Sequence, residues 1–390
     1  MKLRIKQRPS EVWIFQIILF IYVALQLLAS STFDYLLPHS FFRVIRYGVL
    51  LSTLFLILIY RKYSLKYTLT IFFIAIVLII MLLFNEVFLA VAIPLLLVLA
   101  SKVTNFNDIL KCIMSATIFA TTFIILSCVL NILPDYTYAH MIGDVVKVAH
   151  SYGFKYYSSP GYITMTLTAI YLYLHENSSY LRLCVIFLID YALFLLHTNQ
   201  TSILVSIFLI VIYIFTKKIK ILNFNNKICN FFSVIFPSFL CFGTIGLVNL
   251  YKINVLILPQ SLSTLTSRLE NSLQAINQYG ISLFGTTVTM YGGTQKHYGN
   301  ALSSFYIDSG FLYSLIAYGV VFTVAIILIY TIIYRYTVNS NDAFLFVWLS
   351  VILAACVVNN YLLNCCFNPL IFLLPQAIQN MSEKNVEIIS

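Results

Sequence analysis

The chain has 390 residues, of which 61% are hydrophobic and only 9% are charged, and its formal net charge is +10. So many apolar side chains exceed what one water-soluble core can bury, which excludes an ordinary soluble protein. The alternation of apolar and polar residues that an outer-membrane barrel requires is absent. We therefore expect an all-α polytopic integral membrane protein with a single transmembrane domain over residues 1–390.

A spanning helix needs about 20 mainly apolar residues, and the chain offers twelve segments of roughly this kind. In chain order they are residues 11–30, 42–60, 67–84, 86–101, 112–133, 159–175, 182–197, 199–216, 229–250, 307–334, 343–358 and 360–377. The seventh and eighth are so close in sequence that they are predicted to form a tight helical hairpin. Because residues 1–10 lead into the first span without a small-residue cleavage site, we expect this span to remain as an anchor.

The distribution of basic residues predicts the orientation of the chain. When the twelve spans alternate, sixteen of the 23 Lys and Arg residues fall on the side of the N-terminus. Basic residues near span ends stay preferentially in the cytoplasm, so both termini are predicted to be cytoplasmic. The net positive charge is then a topology signal and an attraction to anionic lipid, and it does not indicate nucleic acid. The eight cysteines lie in or near spans without a CxxC pair, which favours apolar packing over a disulfide framework or a metal site.

Two predicted outward loops, residues 134–160 and 251–306, carry almost all of the polar sequence outside the spans. The cytoplasmic connections are short and hold no Walker loop and no GxGxxG motif, so neither a nucleotide nor another cofactor is expected. Long loops are usually functional. We therefore place the working surface on the outer face of the membrane.

The second loop contains an amphipathic helix, predicted over about residues 264–279. Leucines recur in it at spacings of three and four, Ser267 and Glu270 fit a capping box, and Tyr279 with Gly280 provides the stop. Arg268 would lie near the positive end of this helix. A guanidinium combined with helix N–H groups suits a phosphate, whereas the alternative is a lid helix whose Arg snorkels to lipid headgroups.

Five further residues have both a structural and a functional interpretation. Asp308 enters the tenth span, where it would either cap the helix or act as a carboxylate base. Asp190 would either be hydrogen-bonded to a neighbouring helix or belong, with His197, to a polar track. Arg43 and Arg46 would anchor the second span at the interface or bind the phosphate of a lipid carrier.

Several of these sequence features resemble those of the Wzy-type repeat-unit polymerases, which build bacterial O-antigen, capsule and exopolysaccharide. The resemblance rests on an Arg in a late outer loop, a YGxxLFG sequence at residues 279–285, an Ile-Asp pair at residues 307–308, and a Tyr-Gly pair at residues 318–319. It is tight over about residues 262–325 and only topological elsewhere. One departure is Gln200, which stands where many relatives have an Arg.

The resemblance implies a glycosyltransferase without a nucleotide donor, in the cytoplasmic (inner) membrane of a bacterium. Such an enzyme transfers a growing undecaprenyl-pyrophosphate-linked glycan to a new lipid-linked oligosaccharide on the outer face, and its expected partners are that oligosaccharide, membrane lipid, a flippase and chain-length regulator proteins. The predicted catalytic residues are Arg268, Asp308 and His297. The predicted substrate-binding residues are Arg43, Arg46, His140, His150, Lys155, Tyr156, Gln200 and Tyr279.

Two alternatives remain at this point. An O-antigen ligase would use the same donor and transfer the glycan to a terminal acceptor. A transporter such as a flippase would move the lipid-linked units without forming a glycosidic bond, although such proteins are typically built from internal repeats with broken helices.

Overall fold

The computed structural model describes residues 9–59, 63–84, 88–142, 145–175, 177–197, 199–218, 227–253, 255, 263–290 and 305–387. The fold is 79% helical, which agrees with the predicted all-α class. The α-helices are α1 (Pro9–Ser30), α2 (Phe33–Leu36), α3 (His39–Ile59), α4 (Leu65–Phe84), α5 (Phe88–Ala100), α6 (Phe106–Val129), α7 (Ser159–Leu174), α8 (Tyr180–His197), α9 (Gln200–Tyr213), α10 (Lys227–Lys252), α11 (Ser263–Tyr279), α12 (Gly310–Tyr313), α13 (Gly319–Asn339), α14 (Ala343–Ala355) and α15 (Leu374–Glu387).

Within the described residues, seven helical stretches are long and apolar enough to cross a membrane. They are Pro9–Ser30, His39–Ile59, Leu65–Leu83, Phe106–Val129, Tyr180–His197, Ile228–Lys252 and Gly310–Asn339. Three shorter apolar stretches are Phe88–Val103, Gln200–Thr216 and Ala343–Ala355. Many Leu, Ile and Phe side chains of the long and the short apolar stretches are exposed, as expected for helices that face lipid.

The segment predicted as the twelfth span, residues 360–377, does not form one helix. Turns precede a 3₁₀ helix at Pro369–Leu373, and α15 begins only at Leu374. Pro369 has no N–H and disfavours a helical conformation at Asn368. The apolar composition of this segment reflects burial inside the protein, because Leu370 and Ile371 are fully buried.

The chain forms two compact units. The first unit comprises Met1–Tyr63, Ile93–Leu222 and Cys365–Pro375, and the second comprises Ser64–Ala92, Asn223–Asn364 and Gln376–Ser390.

Helix α1 lies at the centre of the first unit and packs against α3 and α6. Phe15, Leu19 and Val23 on α1 are fully buried. The thiol of Cys112 on α6 donates to the carbonyl oxygen of Gln16 at 3.2 Å. This cysteine therefore serves close helix packing, as its apolar surroundings predict.

The first predicted loop, residues 134–160, contains a β-hairpin, which the sequence analysis did not predict. Strand β1 (Thr137–Ile142) pairs antiparallel with β2 (Val145–His150), and Thr137 lies opposite His150. The base of the hairpin is fastened to the chain after α1: Thr32 N donates to Gly153 O at 2.9 Å and Lys155 N donates to Ser30 O at 3.1 Å. The hairpin is thus an integral part of the first unit.

In the second unit, the stretch Gly310–Asn339 is a broken helix. A π-helical turn, Ser314–Tyr318, separates α12 from α13, and Gly319 at the break has φ 88° and ψ 170°. Residues 282–286 cross this break: Thr286 N donates to Ile316 O, Val320 N to Ser282 O and Val321 N to Leu283 O, at 3.0 to 3.1 Å. The crossing segment therefore supplies partners for backbone groups that the interrupted helix leaves free.

Candidate functional site

The first candidate site joins α11 to the chain just before α12, in the second unit. The faces of α11 differ, since Leu269, Ser272 and Ala275 are buried and Gln274 is exposed. Arg268 lies four residues before Ser272 and seven before Ala275, so it belongs to the buried side of the helix. This position explains why its side chain is only 30% exposed.

Arg268 forms an ion pair with Asp308, with Nε 3.4 Å from Oδ2. Although 42% of the Asp308 side chain is exposed, the pKa of its carboxyl is raised above the usual value. Burial causes the rise, and the charge of Arg268 offsets only part of it. Within the described residues Asp308 is the one ion-pair partner that Arg268 has. A guanidinium that approaches a carboxylate through Nε has two further donor groups, its Nη atoms, with which it can bind an anion.

Two sequence-based interpretations of this region are wrong. Asp308 does not cap α12, because the cap is Ser309, whose hydroxyl accepts from Leu312 N at 3.3 Å. The capping box is also wrong, since α11 begins at Ser263 and Ser267 lies in its second turn. Glu270 instead accepts a hydrogen bond from the Tyr251 hydroxyl at 2.9 Å, which ties α11 to α10.

Two glycines at the break in the second unit allow an unusually close backbone crossing. A Cβ at Gly285, where φ is +85°, would lie 2.3 Å from Ala317 O, and one at Gly319 would lie 2.4 Å from Gly285 N. The YGxxLFG and Tyr-Gly sequences are therefore in direct contact. Tyr279 also has a structural role, because its hydroxyl bonds to both the N–H and the carbonyl oxygen of Thr289 at 3.2 Å.

A second cluster lies around the hairpin in the first unit. Nδ1 of His150 lies 2.6 Å from Oδ2 of Asp135. Lys155 Nζ donates to Asp34 Oδ2 at 2.5 Å and to Ala29 O at 2.8 Å, and only 19% of its side chain is exposed. The contacts of Lys155 favour a structural role over substrate binding. Tyr156, in contrast, is 41% exposed.

The polar residues of the predicted seventh span are held between helices α7, α8 and α9. Asp190 is 5% exposed, and the Thr168 hydroxyl lies 3.1 and 2.9 Å from its two carboxyl oxygens. This arrangement supports hydrogen bonding to a neighbouring helix, the structural interpretation of Asp190. His197 is 2% exposed, and its Nδ1 accepts from Asn199 N at 3.0 Å.

The remaining predicted residues are dispersed. Arg43 is exposed and Arg46 half-buried near the start of α3, and Gln200 is exposed at the start of α9. His140 pairs with Lys147 through the hairpin backbone, but its side chain lies outside the described part of the structure. His297 lies outside the described residues altogether.

Asp135 is the residue of this cluster that the sequence analysis missed as a site candidate. Its relation to His150 depends on the hairpin, because the two residues are adjacent only when β1 and β2 pair. The available signal was the pair Gly143-Asp144 between two runs rich in β-branched and aromatic residues, which is typical of a two-residue hairpin turn.

No protein-family model, curated protein or solved structure matches this chain.

Proposed function

We propose that the protein is a polysaccharide polymerase of the Wzy type. In this proposal it transfers a growing glycan from undecaprenyl pyrophosphate to the non-reducing end of a new lipid-linked repeat unit, on the outer face of the bacterial cytoplasmic membrane. Both chain termini are then cytoplasmic, and the loops that carry Arg268 and the hairpin face outward. Undecaprenyl pyrophosphate is the leaving group.

One observation carries the proposal: the separate sequences on which the resemblance rests are neighbours in the second unit. Residues 282–286 lie against the break at Gly319, and Arg268 lies beside Asp308. These stretches are distant in sequence, so a chance similarity of short motifs would not require them to meet. Their contact favours one shared site over unrelated local features.

The chemistry of Arg268 suits a diphosphate leaving group. When the bond between the sugar and the diphosphate breaks, negative charge develops on the departing oxygen, and a fixed cation lowers the energy of that transition state. Asp308 restrains the guanidinium through Nε, and a planar fork held in this way can bind two phosphate oxygens. Lys would keep the charge without the fork.

Polymerisation by the purified protein tests the proposal. Lipid-linked repeat units supplied without any energy source should yield a ladder of polymer lengths on a gel. Arg268→Ala should lower the rate by about 100-fold, the effect of removing one charge-stabilising donor, and Arg268→Lys should retain an intermediate rate. Arg335→Ala is the matched control, because Arg335 is an exposed residue of the same unit and should leave the rate unchanged.

The outcomes separate the competing functions. Polymer of normal length and amount from Arg268→Ala, at equal protein level, rejects the role of Arg268. A single transfer to a terminal acceptor would indicate a ligase, and movement of lipid-linked units without bond formation would indicate a transporter. Reporter fusions that place Arg268 in the cytosol would reject the proposed reaction as a whole.

A further inference from the structure

The Asp135–His150 pair in the first unit has the geometry of an oriented general base. The 2.6 Å separation of His150 Nδ1 and Asp135 Oδ2 is that of a strong, charge-assisted hydrogen bond. The side chains are 41% and 30% exposed, so the imidazole is open to a substrate while its inner nitrogen is held.

Asp135 is itself fixed by several donors. Its Oδ1 accepts from Ser151 N at 3.0 Å, from Tyr152 N at 2.8 Å and from the Ser151 hydroxyl at 3.4 Å. Its Oδ2 is left for His150. The carboxylate therefore has a set orientation before any ligand arrives, which is the requirement for a group that positions a base.

The hydrogen bond also selects the tautomer of His150. An ionised carboxylate can only accept, so Nδ1 must carry the hydrogen that it donates to Asp135. The neutral ring then presents Nε2 with a free lone pair. In the part of the chain that the structure describes, Nε2 of His150 has no hydrogen-bond partner.

Three other histidines of the first unit lack this combination. Nδ1 of His197 accepts from Asn199 N, so a neutral His197 carries its proton on Nε2, and the residue is buried. His39 is 84% exposed and lies 3.8 Å from Asp34, beyond hydrogen-bond distance. The exposed His175 has its Nδ1 3.1 Å from a backbone carbonyl oxygen, that of Tyr171, and not from a carboxylate. Among the described histidines of the first unit, His150 is the one that combines a ring oriented by a carboxylate with an accessible outer nitrogen.

We propose that His150 is the general base that takes the proton of the acceptor sugar hydroxyl, and that Asp135 is its positioning residue. This inference rests on the proposed function for the identity of the substrate. The hydroxyl proton moves to Nε2 while the oxygen forms a bond to the anomeric carbon of the donor glycan. The bond between that carbon and the diphosphate breaks, its electron pair leaves with the diphosphate, and His150 then releases the proton to water.

Substitutions at both positions test the proposal in the full-length purified protein, with lipid-linked repeat units as substrate. His150→Ala and His150→Gln should lower kcat by about 100-fold with little change in KM, the range typical of a lost general base. Added imidazole should restore part of the rate of His150→Ala. His39→Gln is the matched control and should leave the rate unchanged with or without imidazole.

The substitution Asp135→Asn distinguishes a role of Asp135 in positioning the His150 ring from a role in folding. The amide oxygen can still accept from Ser151 N and Tyr152 N, whereas its NH₂ group would face Nδ1 as a donor and shift the ring proton to Nε2. We expect a loss of kcat with an unfolding midpoint close to that of the unaltered protein. Nitrogen NMR of labelled histidine reports the tautomer directly and does not require turnover.

Three results would overturn the inference: an unaltered rate in His150→Gln, a loss in His150→Ala that imidazole does not relieve, or full activity in Asp135→Asn. A resonance showing hydrogen on Nε2 of His150 in the unaltered protein would disprove the oriented pair alone. If the unaltered protein forms no polymer, the proposed function fails and the role of His150 in that reaction fails with it, whatever tautomer is measured.

Discussion

Replacing Gly319 with Ala tests the backbone crossing on which the geometry of the second unit depends. With φ 88° and ψ 170°, Gly319 lies in a region that residues with a Cβ scarcely populate, at a cost of about 1–3 kcal/mol. The new Cβ would also lie 2.4 Å from Gly285 N and 2.5 Å from Leu283 O. Because these are backbone atoms, relief requires the two segments to separate, which costs roughly a further 1–3 kcal/mol.

Gly280→Ala is the matched control for this prediction. Gly280 also has a positive φ, 69°, but a Cβ there would meet no atom within 4 Å. Its cost is therefore that of the left-handed backbone alone, about 1–2 kcal/mol. Unfolding of each variant in detergent, followed by the loss of helical circular dichroism, compares the two. Equal unfolding midpoints for Gly319→Ala and Gly280→Ala would show that residues 282–286 do not cross the break as described.

Two further predictions concern ion pairs. Because burial raises the folded-state pKa of Asp308, the folded protein keeps a proton that the unfolded chain has lost. Ionisation of Asp308 should therefore lower the stability as pH rises from about 4 towards the raised value. The difference between the unfolding midpoints of the unaltered protein and Asp308→Asn should change by this amount over the window, and a constant difference would contradict the prediction. Lys155→Met removes a charge-assisted bond to Asp34 between side chains that are 19% and 21% exposed, and should cost about 1.5–3 kcal/mol in chemical unfolding. Adding Asp34→Asn to Lys155→Met should cost less than the sum of the single changes, and strict additivity would contradict the pairing.

The apolar helices could be predicted because length and composition alone indicate a helix that can cross a membrane. The same reasoning failed at residues 360–377, where composition does not distinguish burial in protein from contact with lipid. Asn368 and Pro369 were the available warning, since Pro disfavours helix at the residue before it. The break at Gly319 was equally hidden, because a glycine within an apolar run does not reveal which segment crosses it.

The candidate site was only partly accessible from the sequence. The spacing of apolar residues predicted a helix around Arg268, and the resemblance singled out Asp308, but no periodicity relates residues separated by the length of that loop. Their ion pair depends on how α11 packs against the π-helical turn. The hairpin that brings Asp135 next to His150 was not recognised in the sequence. Their contact could therefore not be predicted without knowing that the two strands pair.

The attachment of the hairpin to the end of α1 bears on how the protein can be shortened. Two backbone hydrogen bonds join residues 30–32 to residues 153–155, and the isolated bridge between Ser31 and Phe154 lies between them. A protein trimmed to start after Thr32 would lose both the buried face of α1 and the strand-like edge that receives the hairpin. Helix α1 thus supports the base of the hairpin that carries His150, and exchanging it for an unrelated apolar helix should disturb the hairpin as much as the helices that pack on α1.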